Sequence, residues 1–377
     1  MSLRSKFWVI ILVSVFSFVV GIICITNYLV DPYGLYKMDF FINKPRQAGQ
    51  MRLIKLIQLR EQRPVSIILG TSRADMAIDP EHEYFIKPSY NLSNSGASIY
   101  EVKYYVEEAI KLGTKNILLV ADWRMFNDTM KKIDIFESYF NNFNIYSFLI
   151  SYNTFKDSIF TIKNQNLKNF YFTNGLLDDS LMWGSIKASG GHFNLMKKDE
   201  RNYYKAIYSN NNIYGGTTRN SFQDFDIILN MCYKNNIKLD IVFGPSHIRQ
   251  WEALAYYKGE DTFSKWKKDI VLHVAEIAKN NDKEPFRVID FSVYHQLTAE
   301  EVPINKDLQM RYHWEGSHYK KELGDIVLDR LLDISPYKDF GIELNSQNID
   351  NHIKKLRDDR EKYIDIKKYR QEVFGEN

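Results

Sequence analysis

Val65-Ser66-Ile67-Ile68-Leu69-Gly70-Thr71-Ser72-Arg73 is the stretch on which the reading of this chain turns. A short run of Val, Ile and Leu, closed by glycine, is the pattern of a strand buried on both faces of a parallel sheet. Similar runs return at Tyr90-Asn91-Leu92, at Asn116-Ile117-Leu118-Leu119-Val120, at Leu239-Asp240-Ile241-Val242-Phe243 and at Arg287-Val288-Ile289-Asp290-Phe291. Between them the apolar spacing is helical, over Ile99 to Leu112, Ser221 to Asn235 and Phe263 to Asn280, with another helix predicted around Gln50 to Glu61. Strands alternating with helices predict a doubly wound α/β sheet, the strands parallel. A parallel crossover needs roughly a dozen residues or more, and the third and fourth runs are separated by far more. The segment from about 125 to 220 therefore reads as a helical insertion. Its Phe, Tyr and Asn content suits either a cap over the sheet edge or a packed helical subdomain without a role in chemistry.

Toward the N-terminus, Phe7 to Val30 carries no charge and is rich in Ile, Val, Phe and Leu, which matches the roughly 20 apolar residues that cross a bilayer. Ile22-Ile23-Cys24-Ile25-Thr26-Asn27 offers no small-residue cleavage pattern, so an uncleaved anchor is predicted instead of a signal peptide. Arg4 and Lys6 precede it, and the positive-inside rule places residues 1–6 in the cytoplasm and the bulk of the chain outside. The expected layout is an anchor over 7–30, a linker and lead-in helix over 31–64, the α/β domain over 65–335, and a charged tail over 336–377 with a surface helix at Asn348 to Phe374. Fifty Lys and Arg against 47 Asp and Glu leave a net charge of +3. The basic residues are scattered, which argues against a nucleic-acid partner. Cys24 lies in the anchor and Cys232 has no partner beyond it, so no intramolecular disulfide outside the membrane is expected.

Open α/β sheets bind ligands at the carboxyl ends of their strands, so the residues following each run are the candidates for chemistry. The first run ends in Gly70-Thr71-Ser72-Arg73, where a helix is predicted to begin near Ala74. Ser72 there is either an exposed nucleophile near a helix N-terminus or part of an ordinary cap. After the second run comes Asn91-Leu92-Ser93-Asn94-Ser95-Gly96, either a plain turn or a source of hydrogen-bond donors for an oxyanion. Near the end of the domain, Tyr312-His313-Trp314-Glu315-Gly316-Ser317-His318-Tyr319 precedes a helix expected near Lys321 and sets a carboxylate three residues before a histidine, a pairing suited to a general base and its orienting acid. His313, Glu315 and His318 could alternatively ligate a metal, but the spacing is not His-Glu-x-x-His and no cysteine assists. His247, after the fourth run, lines a pocket or is structural. Arg73 meets an anionic substrate or pairs with an acid.

The order of these motifs resembles the SGNH, or GDSL-type, hydrolase superfamily, over roughly Val65 to Leu332. Gly-Thr-Ser-Arg and His-Trp-Glu-Gly-Ser-His-Tyr are similar, more narrowly, to its membrane-anchored branch that serves polysaccharide O-acetylation and teichoic-acid D-alanyl transfer. The resemblance implies a three-layer flavodoxin-like fold and a serine esterase or O-acyltransferase acting on an acylated, exported or surface glycan. It implies no cofactor and no metal, and a membrane-bound acyltransferase as a partner. Residue by residue, it implies Ser72 as nucleophile, His318 as base, Glu315 as orienting acid, and the backbone N–H groups of Ser72 and Gly96 as oxyanion donors. Thr71 stands where the superfamily has Asp, and Glu315 stands in place of the usual Asp. The family's Gly-x-Asn-Asp block is not matched; Ala121-Asp122-Trp123 lies there instead. An ionised Asp122 accepts hydrogen bonds and cannot donate to an oxyanion, so Asn94 substitutes or the third donor is missing. The competing reading is a non-catalytic module of the same fold that binds glycan or a membrane partner.

Overall fold

A computed structural model describes residues 3–129, 136–141 and 143–376. Met1, Ser2 and Asn377, at the ends of the expected cytoplasmic segment and tail, lie outside the described residues, as do 130–135 and 142 of the expected insertion. The chain forms two compact units, Met1–Ile57 with Glu137–Phe172, and Gln58–Phe136 with Thr173–Asn377. The segment read as one insertion is thus divided between them.

The first unit is built on helix α1, Leu3–Val30. At 1.5 Å per residue it is about 40 Å long, and it is long and apolar enough to cross a membrane. The helix Tyr152–Lys163 packs beside it.

The second unit holds a six-stranded sheet: β1 Ser66–Leu69, β2 Ser89–Asn91, β3 Asn116–Ala121, β4 Lys238–Phe243, β5 Arg287–Asp290 and β6 Ile342–Leu344. Their order is β2-β1-β3-β4-β5-β6. The first five run parallel, in registers such as Ile67↔Ile117 and Leu119↔Ile241. Ile68, Leu118, Val120, Val242 and Ile289 face a core with Ala74, Ala77, Leu323 and Val327. The alternate residues Ile67, Ile117, Leu119, Ile241 and Val288 are equally buried, so both faces are covered, as the unbroken apolar runs require.

One expectation is corrected. The sheet is mixed, because β6 pairs antiparallel with β5, Val288↔Leu344 and Asp290↔Ile342. This strand lies in the stretch expected to be a charged tail. Three residues, Ile-Glu-Leu, are too short to carry a period, and only pairing with β5 makes them a strand. The helix expected over 348–374 is two, Ile349–Tyr363 and Ile366–Phe374, because Asp365 caps the second by accepting from Lys368 N. Its first part buries Ile349, His352, Ile353 and Leu356.

Candidate active site

The sheet grows to one side of β1 with β2 and to the other with β3, so the strand order reverses between β1 and β3, the crevice where ligands of such sheets bind. Ser72 lies there, as the first residue of the helix Ser72–Ala77. The turn needs Gly70: a Cβ on it would stand 2.8 Å from Ala74 Cβ and 3.0 Å from the Val120 carbonyl oxygen. Asn91 fastens the far end of this short helix, donating through Nδ2 to the carbonyls of Ala74 and Ile78, both at 2.9 Å. The Ala74 carbonyl also accepts from Ile78 N at 3.1 Å, whereas the Ile78 carbonyl lies past the last turn, where the helix supplies no donor. Thr71, at the cap position, makes no side-chain bond into the helix; its hydroxyl donates to Asp122 Oδ2 at 3.2 Å.

The Ser72 hydroxyl lies 2.7 Å from His318 Nε2. On the other side of the ring, His318 Nδ1 is hydrogen-bonded to Glu315 Oε1. In the tautomer protonated on Nδ1, the ring donates to the carboxylate and accepts from the serine, the arrangement of a nucleophile, its base and an orienting acid. Glu315 reaches the ring because the chain doubles back, Trp314 N donating to His318 O at 2.9 Å. Its carboxylate also accepts from Ser317 N at 2.8 Å, His318 N at 3.0 Å, Ser317 Oγ at 3.0 Å and Tyr204 Oη at 3.2 Å. Burial pushes the Glu315 pKa up, but the His318 charge and these hydrogen bonds outweigh it and hold the carboxyl at about 2. Burial, and next the charge of Glu315, pushes the nearby Asp199 carboxyl up to about 7.

The loop carrying Glu315 and His318 is tied down along its length. His192 Nδ1 bonds Trp314 O at 2.9 Å, and Trp314 Nε1 donates to Asp179 Oδ2 at 2.8 Å. His247 N donates to Gly316 O at 3.0 Å, and His247 Nε2 bonds Glu300 O at 2.7 Å. Burial above all drives the His247 pKa down to about 3, so it is a neutral fastener of this loop. His313 Nδ1 meets Glu300 Oε2 at 3.1 Å. Among the described residues no three His, Cys, Asp or Glu side chains converge to hold a metal ion.

Asn94 and Gly96 lie in the loop after β2, which runs beside the Ser72 turn: Leu92 N donates to Ile68 O at 2.9 Å and Asn94 N to Gly70 O at 3.1 Å. Gly96 takes a φ of +63°, the left-handed region that favours glycine. Asn94 Nδ2 donates to Leu92 O at 2.9 Å, which leaves one of its two amide hydrogens. The Ser72 N–H, first in its helix, has no intrahelical acceptor. Arg73 and Asp122 pair with each other, Nε to Oδ2 at 3.5 Å, beneath the turn. Arg73 Nη2 also donates to Tyr208 Oη at 2.8 Å and Gln250 Oε1 at 2.9 Å. Of the two sequence readings of Arg73, its observed partners are internal.

Tyr204, Tyr208, Gln250, His192 and Asp179 were not singled out by sequence. The two tyrosines stand four apart, one helical face, but in a segment so rich in Tyr and Phe that the spacing carries no signal. Compared with known proteins, the chain matches no family model and no curated sequence.

Proposed function

We infer that this chain is a membrane-anchored, SGNH-like serine esterase or O-acyltransferase acting on an acylated glycan outside the cytoplasm. The observation that carries the reading is the continuous contact from Ser72 Oγ to His318 Nε2, at 2.7 Å, and from His318 Nδ1 to Glu315. In this reading Ser72 Oγ attacks the ester carbonyl while His318 Nε2 takes its proton, and Glu315 stabilises the imidazolium. The N–H groups of Ser72 and Gly96 receive the oxyanion. Collapse expels the alcohol, which takes the proton back from His318 and leaves an acyl-serine. Water or a sugar hydroxyl, deprotonated by the same ring, then releases the acyl group; water makes the protein an esterase and the sugar an acyltransferase. Anchoring by α1 suits a polymer substrate at the membrane surface and a membrane-bound acyltransferase as partner.

One observation favours the binding-module alternative: Asp122, where the family has its asparagine donor, is engaged by Arg73 and Thr71. A fluorophosphonate probe separates the two readings. The expected result is a covalent adduct on Ser72 that Ser72→Ala abolishes without unfolding the protein. No adduct on folded wild-type protein, or labelling that persists in the variant, defeats the catalytic assignment.

A further inference from the structure

Counting about 20 residues from Phe7, the length that fills the hydrocarbon core, ends at Thr26. The next residue, Asn27, is fully buried. Its Nδ2 lies 3.1, 2.8 and 3.1 Å from the carbonyls of Phe148, Leu149 and Ser151, and its Oδ1 accepts from Ser158 Oγ at 3.0 Å. Segment 145–151 is thereby fixed beside the last turns of α1, at the level where the helix leaves the bilayer. Tyr28, Tyr36 and Tyr146 form a line of rings there, with centroids 5.6 and 6.4 Å apart, and Tyr36 Oη donates to Ile145 O at 2.8 Å. Buried Lys44 closes a second loop at the same level: its Nζ donates to Val30 O, on α1, at 3.0 Å and to Met38 O at 2.8 Å.

Both segments expose large apolar side chains. Phe40 is 70% and Ile42 77% exposed on the 38–44 loop, and Tyr146 (64%), Ile150 (66%) and Tyr152 (64%) are exposed on the other. Phe140 to Thr154 contains no charged residue. Rings and aliphatic chains held at the end of a spanning helix match the interfacial belt of membrane proteins, and an apolar patch of this kind marks an interaction surface. We propose that Phe40, Ile42, Tyr146, Ile150 and Tyr152 are seated in the lipid interface, so that the anchor unit lies on the bilayer as a collar around the exit of α1. The occupant is lipid because the patch continues directly from the apolar surface of α1, and its hydrogen bonds to Asn27 and Val30 hold it to that height.

The proposal rests on α1 spanning the bilayer, and its test reads the two separately. The full chain, carrying the photoreactive residue benzoylphenylalanine in place of Phe16, Ile42 or Ile150, is reconstituted in phosphatidylcholine and phosphatidylglycerol liposomes, irradiated, and its adducts identified by mass spectrometry. Lipid adducts at all three positions are expected. Lipid adducts at Phe16 with none at Ile42 and Ile150 overturn the collar and leave the span intact. Adducts from 42 and 150 to a second protein chain in place of lipid also overturn it, in favour of a protein interface. Absence of lipid adducts at Phe16 overturns the span itself, and the collar with it.

Discussion

Glu315 does more in the structure than bond the His318 ring, because both of its oxygens also accept hydrogen bonds from Ser317 or Tyr204. Glu315→Gln turns one oxygen into an NH2 facing donors, which leaves buried donors unpaired at a cost of about 1–3 kcal/mol. Seen from sequence alone, that substitution promises an unaltered fold. With these partners, thermal unfolding is expected at a lower temperature, and hydrolysis of a model acetyl ester should fall by up to ~10⁴-fold, as when an orienting acid is lost elsewhere. Glu315→Asp, one methylene shorter, is expected to fall between. Full activity in the Gln variant alongside a dead His318→Ala would make Glu315 a bystander. The three residues proposed as a triad were legible because Glu315 and His318 are near neighbours in one motif and Ser72 follows an apolar run. Tyr204 was not, since nothing local marks which tyrosine of an aromatic-rich segment meets a carboxylate 111 residues away.

Among the elements, the 312–319 loop depends on a glycine for a reason visible only in space. A Cβ on Gly316 would stand 2.7 Å from the Tyr204 hydroxyl oxygen, so Gly316→Ala must push that hydroxyl off Glu315. Displacement near 1 Å around catalytic groups can cost about 10²-fold in rate. Turnover should drop toward that limit, and Tyr204→Phe, which removes the clashing oxygen, should recover part of it. Additive losses in this double-mutant cycle would show that the two sites do not couple. The same loop also has a pH signature. His247 has a folded pKa of about 3 against about 6.5 unfolded. Its contribution to stability is therefore complete above about 6.5 and is lost as pH falls toward 3. The melting temperature of His247→Gln should decline less steeply over that window than the wild type's, and parallel curves would show that His247 does not drive the acid loss. Strands β1, β3, β4 and β5 were readable as elements because each carries a buried apolar run, and β2 because Tyr90 and Leu92 flank Asn91 in a short buried stretch. Strand β6 was not, since Ile-Glu-Leu sits in a charged stretch and gains strand character only from pairing with β5.

On the scale of the whole molecule, the charge of the N-terminal end sets an expectation for topology. Arg4 and Lys6 precede the apolar stretch, and short basic ends stay cytoplasmic. A pair of reporters fused after Asn377, one active only outside the cytoplasm and one only inside, is expected to report outside. Activity of the inside reporter would overturn the orientation and, with it, a surface glycan as substrate.

The long apolar N-terminal helix, the alternation of strand and helix, and the residues waiting at strand ends were determined by the sequence itself, because each is a local pattern of solubility and backbone preference. Only the tertiary structure decided that Ser72 meets His318 across 246 residues, that β6 closes the sheet antiparallel, and that Glu137–Phe172 belongs to the unit of the N-terminal helix while the chain from Thr173 onward belongs to the unit of the sheet. Hydrophobic periodicity says which side of an element is buried. Which distant segment does the burying is set by packing and by the need to pair every buried polar group, and both exist only once the chain has folded.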